Sequence, residues 1–377
     1  MKFDITTNII YIVFFVSIYF FLFALSEKKI KKKQICVIIG YLLFMALAFR
    51  DLDQGLNDTR DVYMGMYELA GGYSWHDLYG SLICEYTSPA FVTIMKIIST
   101  ITFGDYRIFI ILMSAIFVYP YEKCIHKYCD NVLIGQLVFM TFIYPYGFYL
   151  IRQCLSMSIL CFAFIYLKKN QHINSKTKKY LKSIVLTALA ASIHNIALVF
   201  VAAMAISYFL LKTVKVNKNI IILMELIVAA VITLMPSLFL GLLDYLPTDS
   251  KYSKLYMLGL YQMGNVWIIP LVVYSIVSII LLVIYKKDKN TFNNSMLILS
   301  FMSIIFVSTT GVVEDMVRIA YYFSFPTMVL ASNNAVVQRS SSLMIKRRYL
   351  NAILVLLTLV YSIAITLPNN NIIYWQW

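Results

Sequence analysis

Long apolar runs, separated by short polar breaks rich in lysine, dominate the chain. A helix needs about 20 apolar residues to span a bilayer, within a range near 17–25. Runs of that length lie at about 6–25, 219–243, 265–285, 295–313, 317–336 and 349–367, and shorter or weaker ones at 35–49, 88–103, 106–121, 132–149, 153–167, 183–193 and 196–211. The pattern predicts an all-α polytopic membrane protein with about 12 crossings. It reads as one transmembrane domain over 1–377, with a large outer loop at 50–87 and a juxtamembrane helix at 88–103. The first run has one lysine in place of a basic leader and no small-x-small site before Glu27, so it is expected to remain as a span.

Composition narrows the class. Apolar residues make up 61% of the 377 and charged ones 13%, against roughly 45–50% and about 25% in soluble domains, which excludes a soluble globular protein. A net charge of +14 could point to nucleic acid, but the basic residues are scattered as short clusters between apolar runs, the way membrane topology is written. No nucleic-acid partner is expected. Assigning 26–34, 122–131, 168–182, 212–218, 286–289 and 337–349 to the cytoplasm collects 23 of the 32 basic residues on one side and leaves both termini outside.

That orientation constrains two ambiguous regions. Residues 183–211 become a helical hairpin, in along 183–193 and out along 196–211, broken near His194-Asn195. The first arm is about 16 Å long against a hydrocarbon core of about 30 Å, so its tip is expected inside the membrane profile, where it must line a cavity or pack in protein. Segment 88–103, with Lys96 embedded, becomes re-entrant or interfacial.

The outer face carries the candidate chemistry. Of the nine basic residues left outside the cytoplasmic clusters five are arginine (Arg50, Arg60, Arg107, Arg152, Arg318), whereas only three of the 23 cytoplasmic ones are. Lysine suffices for topology; arginine adds a planar fork of donors matched to phosphate and carboxylate oxygens. Arg152 follows the aromatic stretch Tyr144-Pro-Tyr-Gly-Phe-Tyr, and its simplest alternative role is snorkelling or helix capping. Arg318 follows Glu314-Asp315, with a structural ion pair as its alternative, and Arg60 sits between Asp58 and Asp61, where a solvated salt bridge competes with function. His194 stands at the hairpin tip, where broken helices commonly line sites. Asp58 and Glu85 are candidates for receiving or orienting a sugar hydroxyl proton, and a solvated acidic loop is their alternative. Glu225 fits an interhelical hydrogen bond better than a transport role. His76, His126 and His172 are most simply solvated. The six cysteines have no CxxC spacing, and no HExxH, GxSxG, P-loop or GxGxxG motif occurs, so no metal, cofactor or nucleotide is expected.

Taken in order, Gly55…Asp58…Tyr63, Arg152-Gln153, Ala190-Ala-Ser-Ile-His194-Asn and Arg318…Tyr322-Phe323 resemble the EpsG-like, Wzy-type polymerases of bacterial surface polysaccharide, over about residues 50–330. The resemblance implies a membrane glycosyltransferase acting on the outer face of the bacterial inner membrane, and since the sequence has no evident metal-ligand cluster it is expected to be metal-independent. Its partners would be polyprenyl-diphosphate-linked donor and acceptor, membrane lipids and a chain-length regulator. It also implies roles: Arg152, Arg318 and Arg60 for the diphosphate, His194, Asp58 or Glu85 as the base, and tyrosines such as Tyr144, Tyr146, Tyr149, Tyr321 and Tyr322 along the sugar path. Two rival readings remain. A flippase of the same lipid-linked oligosaccharide should have two similar halves, and an acyltransferase using His194 would need a cytosolic acyl donor.

Overall fold

A computed structural model describes residues 31–50, 62–81, 83–84, 87–148, 150–169, 176–235, 268–310 and 316–333, with a few isolated positions. The expected first and last spans, apart from isolated positions, and the basic stretch 337–349 lie outside these residues. The described residues form two packing units, one running through Val201 and one starting at Ala202. All regular structure among them is helical, as the apolar periodicity requires.

In the first unit the helices are α1 (Lys32–Ala48), α2 (Gly65–Gly72), α3 (Trp75–Tyr79), α4 (Pro89–Ile101), α5 (Tyr106–Tyr128), α6 (Val132–Phe142), a 3-10 turn (Tyr144–Phe148), α7 (Ile151–Lys169) and α8 (Lys176–Ile193). Sequence signals start several of them. Ser88 caps α4 with Pro89 in the first turn, Asp105 accepts from the amides of Arg107 and Ile108 at α5, and Asn131 caps α6.

Hydrogen bonds fix the helix directions. Lys32 Nζ donates to Cys129 O at 3.0 Å, and Arg107 Nη1 donates to Arg50 O at 2.6 Å, so α1 and α5 are antiparallel. Helix α7 runs parallel to α5: Ser158 Oγ donates to Phe117 O at 3.2 Å and Tyr128 Oη to Ile165 O at 2.8 Å. Phe117 stands one turn before Pro120, where the missing amide loosens the ladder and leaves carbonyls open to a neighbour's hydroxyl. Helix α8 returns antiparallel to α7, with Ser156 Oγ on Ala190 O at 2.8 Å and Ser183 Oγ on Ala163 O at 3.3 Å.

These directions sort the charges of the unit. Arg50, Arg107 and Arg152 all fall at one end, and Lys31–Lys33, Lys123, Lys127 and the lysine-rich ends of α7 and α8 at the other. Both ends of α4 lie at the arginine end: Ser88 bonds Ile193 O at 2.6 Å, and four residues after Ile101 the chain enters α5. Helix α4 therefore begins and ends at the arginine end of this unit.

One expectation is corrected, and two other regions gain detail. Segment 50–87, expected as an outer loop, contains α2 and α3, because Tyr67 and Ala70 are fully buried and the Tyr67 hydroxyl reaches Thr102 Oγ1 at 2.8 Å. The exposed Asp77 carboxyl in α3 is held below its usual range by the Ser74 hydroxyl, with a lesser contribution from His76. Lys96 serves structure: its ammonium, on a 9% exposed side chain, donates to Gly71 O at 2.9 Å and Tyr73 O at 2.7 Å, capping α2. Helix α8 is 18 residues long, about 27 Å at 1.5 Å per residue, instead of the short arm 183–193. Its lysine-rich first turns are good helix formers, which hydropathy alone does not register.

After His194-Asn195 come α9 (Ile196–Phe209) and a π turn (Leu210–Val214), then α10 (Lys218–Leu234), α11 (Ile268–Tyr285), α12 (Thr291–Thr310) and α13 (Val317–Ser332). The helix breaks where expected, and α8 packs on α7 and α4. In the second unit hydroxyls bridge the apolar helices: Tyr274 Oη meets Ser324 Oγ at 2.6 Å and Ser300 Oγ meets Thr327 Oγ1 at 2.9 Å. Lys218 Nζ donates to Tyr285 O at 2.6 Å and Asn294 Oδ1 at 2.7 Å, joining the basic end of α10 to the α11–α12 turn. Arg318, in the first turn of α13, lies at this unit's opposite end. Four helical stretches, Tyr106–Tyr128, Ile196–Val214, Ile268–Tyr285 and Thr291–Thr310, are long and apolar enough to cross a membrane, and shorter apolar helices accompany them.

Candidate functional site

The break at His194 creates the site's framework. Ala197 N turns to His194 O at 3.0 Å and Leu198 N to Asn195 O at 2.9 Å, so the carbonyl of Ile193 loses its place in a helical ladder. Ser88 Oγ supplies the missing donor at 2.6 Å, from the residue that also caps α4. One turn back on α8, Ala190 O accepts from both His194 N at 3.0 Å and Ser156 Oγ. His194 itself is 9% exposed.

Arg152 enters from the first turn of α7. Its Nη1 donates to Thr87 Oγ1 at 2.5 Å, while its buried Nε–H has no hydrogen-bond partner among the described residues. Consecutive residues thus hold two sequence candidates at one place: Thr87 engages Arg152, and Ser88 engages the residue before His194. An orphaned buried donor costs about 1–3 kcal/mol, and a charged acceptor on a ligand would satisfy it. Ser156, one turn from Arg152, ties the same helix to α8.

Two further arginines stand at this end. Arg50 Nη1 donates to Leu47 O at 2.7 Å with its guanidinium 5.7 Å from the Phe148 ring centre, and Arg107 reaches back to the carbonyls of Ala48 and Arg50. These bonds from Arg107 close off the end of α1, a capping role that favours positive charge.

The described aromatics before Arg152 are core. Tyr144, Tyr146 and Phe148 are buried, and Tyr144 Oη donates to Leu43 O at 2.7 Å. A Cβ at Gly147 would stand 2.5 Å from Phe117 Cε1 and 3.1 Å from Leu47 Cδ2, so only glycine lets the turn approach α5 and α1 this closely. Tyr321 and Tyr322 on α13 are likewise buried, at 1% and 2% exposure. Among the described tyrosines named for a sugar path, packing is the observed role. Tyr149 lies outside the described residues.

Asp58, Arg60 and Glu85 also lie outside the described residues, as do Glu314 and Asp315, the expected partners of Arg318. Arg318 is partly exposed on α13. One carboxylate oxygen of Glu225 on α10 is buried without a hydrogen-bond partner among the described residues, so the expected interhelical bond is absent on that oxygen. No group of three His, Cys, Asp or Glu among the described residues is arranged to hold a metal ion.

Thr87 and Ser88 were missed as site residues by sequence reasoning. The Ser-Pro pair announces a helix start, but its bond to a carbonyl 105 residues away has no sequence signal. A family model described as the EpsG family matches residues 33–376. Neither the curated proteins nor the solved structures contain a match.

Proposed function

Because the chain belongs to the EpsG family, a family of Wzy-like polysaccharide polymerases, we propose that it moves a growing glycan from polyprenyl diphosphate to the non-reducing end of a lipid-linked repeat unit. The reaction would take place at the arginine end of the helices, on the outer face of a bacterial inner membrane. One observation supports this reading above the others: Thr87 and Ser88 bring Arg152, with its unfilled buried donor, and His194 to the same end of one unit, opposite the lysines.

The chemistry asks for two things at one place. The bond from the anomeric carbon to the diphosphate oxygen breaks, and the charge left on the diphosphate needs donors fixed beforehand; a guanidinium offers them in the geometry that phosphate oxygens accept. The acceptor hydroxyl loses its proton as its oxygen bonds the anomeric carbon, and a base within hydrogen-bond reach must take that proton. Arg152 is assigned the first role. His194 is assigned the second, with Asp58 and Glu85 as further candidates; Glu85 precedes Thr87 by two residues in sequence. The same diphosphate role is proposed for Arg318 and Arg60, each tested on its own. The partners in this reading are lipid-linked saccharide donor and acceptor, with a chain-length regulator alongside.

The test is the surface glycan of a deletion strain. Single repeat units on the anchor, restored to long chains by the wild-type gene, are the expected result. Absence of any repeat unit on the outer surface would assign the protein to translocation instead.

A further inference from the structure

At the lysine end of the first unit, away from Arg152, a groove of about 470 Å³ opens between α1 and α5. Its composition changes along its length. Lys33, at the start of α1, and Lys123 and His126, near the end of α5, form one end; Val37, Tyr41 and Phe44 continue along α1 toward the middle of the helices. These α1 positions recur at three- and four-residue spacing, so they share one helix face, and Lys33 to Phe44 spans about 16 Å along the axis. Val37 and Tyr41 are 62% and 60% exposed, and Tyr119 across the groove is 57% exposed.

We propose that this groove binds an anionic phospholipid, with its phosphate against Lys33, Lys123 and His126 and one acyl chain along Val37, Tyr41 and Phe44. Three features support that occupant over others. The cations stand at a helix-terminal end and the apolar wall runs inward, which matches the headgroup-to-chain polarity of a lipid lying along a membrane helix. Basic recesses between membrane helices attract anionic headgroups. Lys123 is held at the mouth, its ammonium 5.1 Å and 5.4 Å from the ring centres of Tyr119 and Phe162 and 3.3 Å from Tyr119 Oη. The one carboxylate on the groove, Glu122, is 7% exposed and is turned toward α6, where it accepts from Gln136 Nε2 at 2.5 Å. No exposed acid stands among the described residues that line the groove. A soluble anion would have no use for the apolar wall, and a neutral lipid none for the cations.

The experiment uses the full-length protein, extracted in mild detergent from vesicles of equal phosphatidylglycerol and phosphatidylcholine, washed, and assayed for retained lipid. Wild type should keep phosphatidylglycerol in preference to phosphatidylcholine. Each cation facing the headgroup contributes roughly five-fold, so Lys33→Gln and Lys123→Gln should each lower phosphatidylglycerol retention by about that factor. Ala115→Trp, which fills the apolar wall without altering charge, should lower retention of both lipids. Lys286→Gln/Lys287→Gln, in the basic turn of the other unit, should change nothing. Equal retention of the two lipids by wild type overturns the site even where a groove variant fails to fold. So does an equal loss in the Lys286/Lys287 variant, which would indicate bulk attraction, or full displacement by excess inorganic phosphate, which would indicate a phosphate site without a lipid chain.

Discussion

Arginine and lysine divide labour in this protein, and the division shows at single residues. Lys96 and Lys218 cap helix ends through two or more carbonyl or amide oxygens each, a task that needs a point charge on a flexible stem. Arg152 uses one N–H on Thr87 and holds another buried and unfilled. If that guanidinium grips the diphosphate, Arg152→Lys replaces a planar clamp with a single ammonium and should cost about 2.7–4 kcal/mol, roughly 100- to 1,000-fold in polymerisation rate. Long chains should disappear at unchanged protein abundance, with single-repeat product retained. Arg318→Lys tests the same role independently. Near-normal polymer from either strain would return that residue to capping or snorkelling, for which lysine serves as well.

At the scale of elements, the break between α8 and α9 is stabilised from outside. Among the described residues Ile193 O has its donor through Ser88, the cap of α4, so Ser88→Ala should leave a partly buried carbonyl short of a partner. The expected loss is about 1–3 kcal/mol of stability, read as a lower thermal midpoint in detergent, together with reduced polymer because His194 is the next residue. Ser88→Thr, which keeps the hydroxyl, should recover most of both. Gly147 makes a purely steric case. The Cβ of Gly147→Ala would press on the Phe117 ring and on Leu47, and overpacking of this kind costs about 1–3 kcal/mol. An unchanged midpoint for Gly147→Ala would mean that the 3-10 turn can shift away from α5.

Across the whole molecule, each unit separately has its arginine and its lysine ends. If lysines mark the cytoplasm, cysteines introduced by Ser175→Cys and Asn217→Cys should resist an impermeant thiol reagent in intact cells and react after lysis. Reaction from outside at either position would reverse the assigned face of the site. Metal independence is tested on the same preparation used for activity: EDTA should leave polymerisation of lipid-linked repeats within a few-fold. A complete loss restored by magnesium would recast Asp58 and Glu85 as oxygen ligands, which hard cations prefer.

The lipid solvent, the helical class, the break at His194-Asn195 and the sorting of arginine from lysine were legible along the chain, because each is written in local composition: runs long enough for lipid, residues that stop a helix, charges placed between runs. Its ordered motifs also carried the family. Which residues meet is set by helix packing. Tyr144 and Tyr146 have the composition of an interfacial belt, yet they are buried, because burial depends on what α1 and α5 place against them. Lys96 looked like a charge stranded in an apolar helix until the carbonyls of Gly71 and Tyr73 came within reach. The start of α8 was hidden for a related reason: lysines lower hydropathy while favouring helix. Thr87, Arg152, Ser88 and Ile193 are spread over more than 100 positions. Hydrogen bonds between them depend on helix packing, and no periodicity along the chain encodes that.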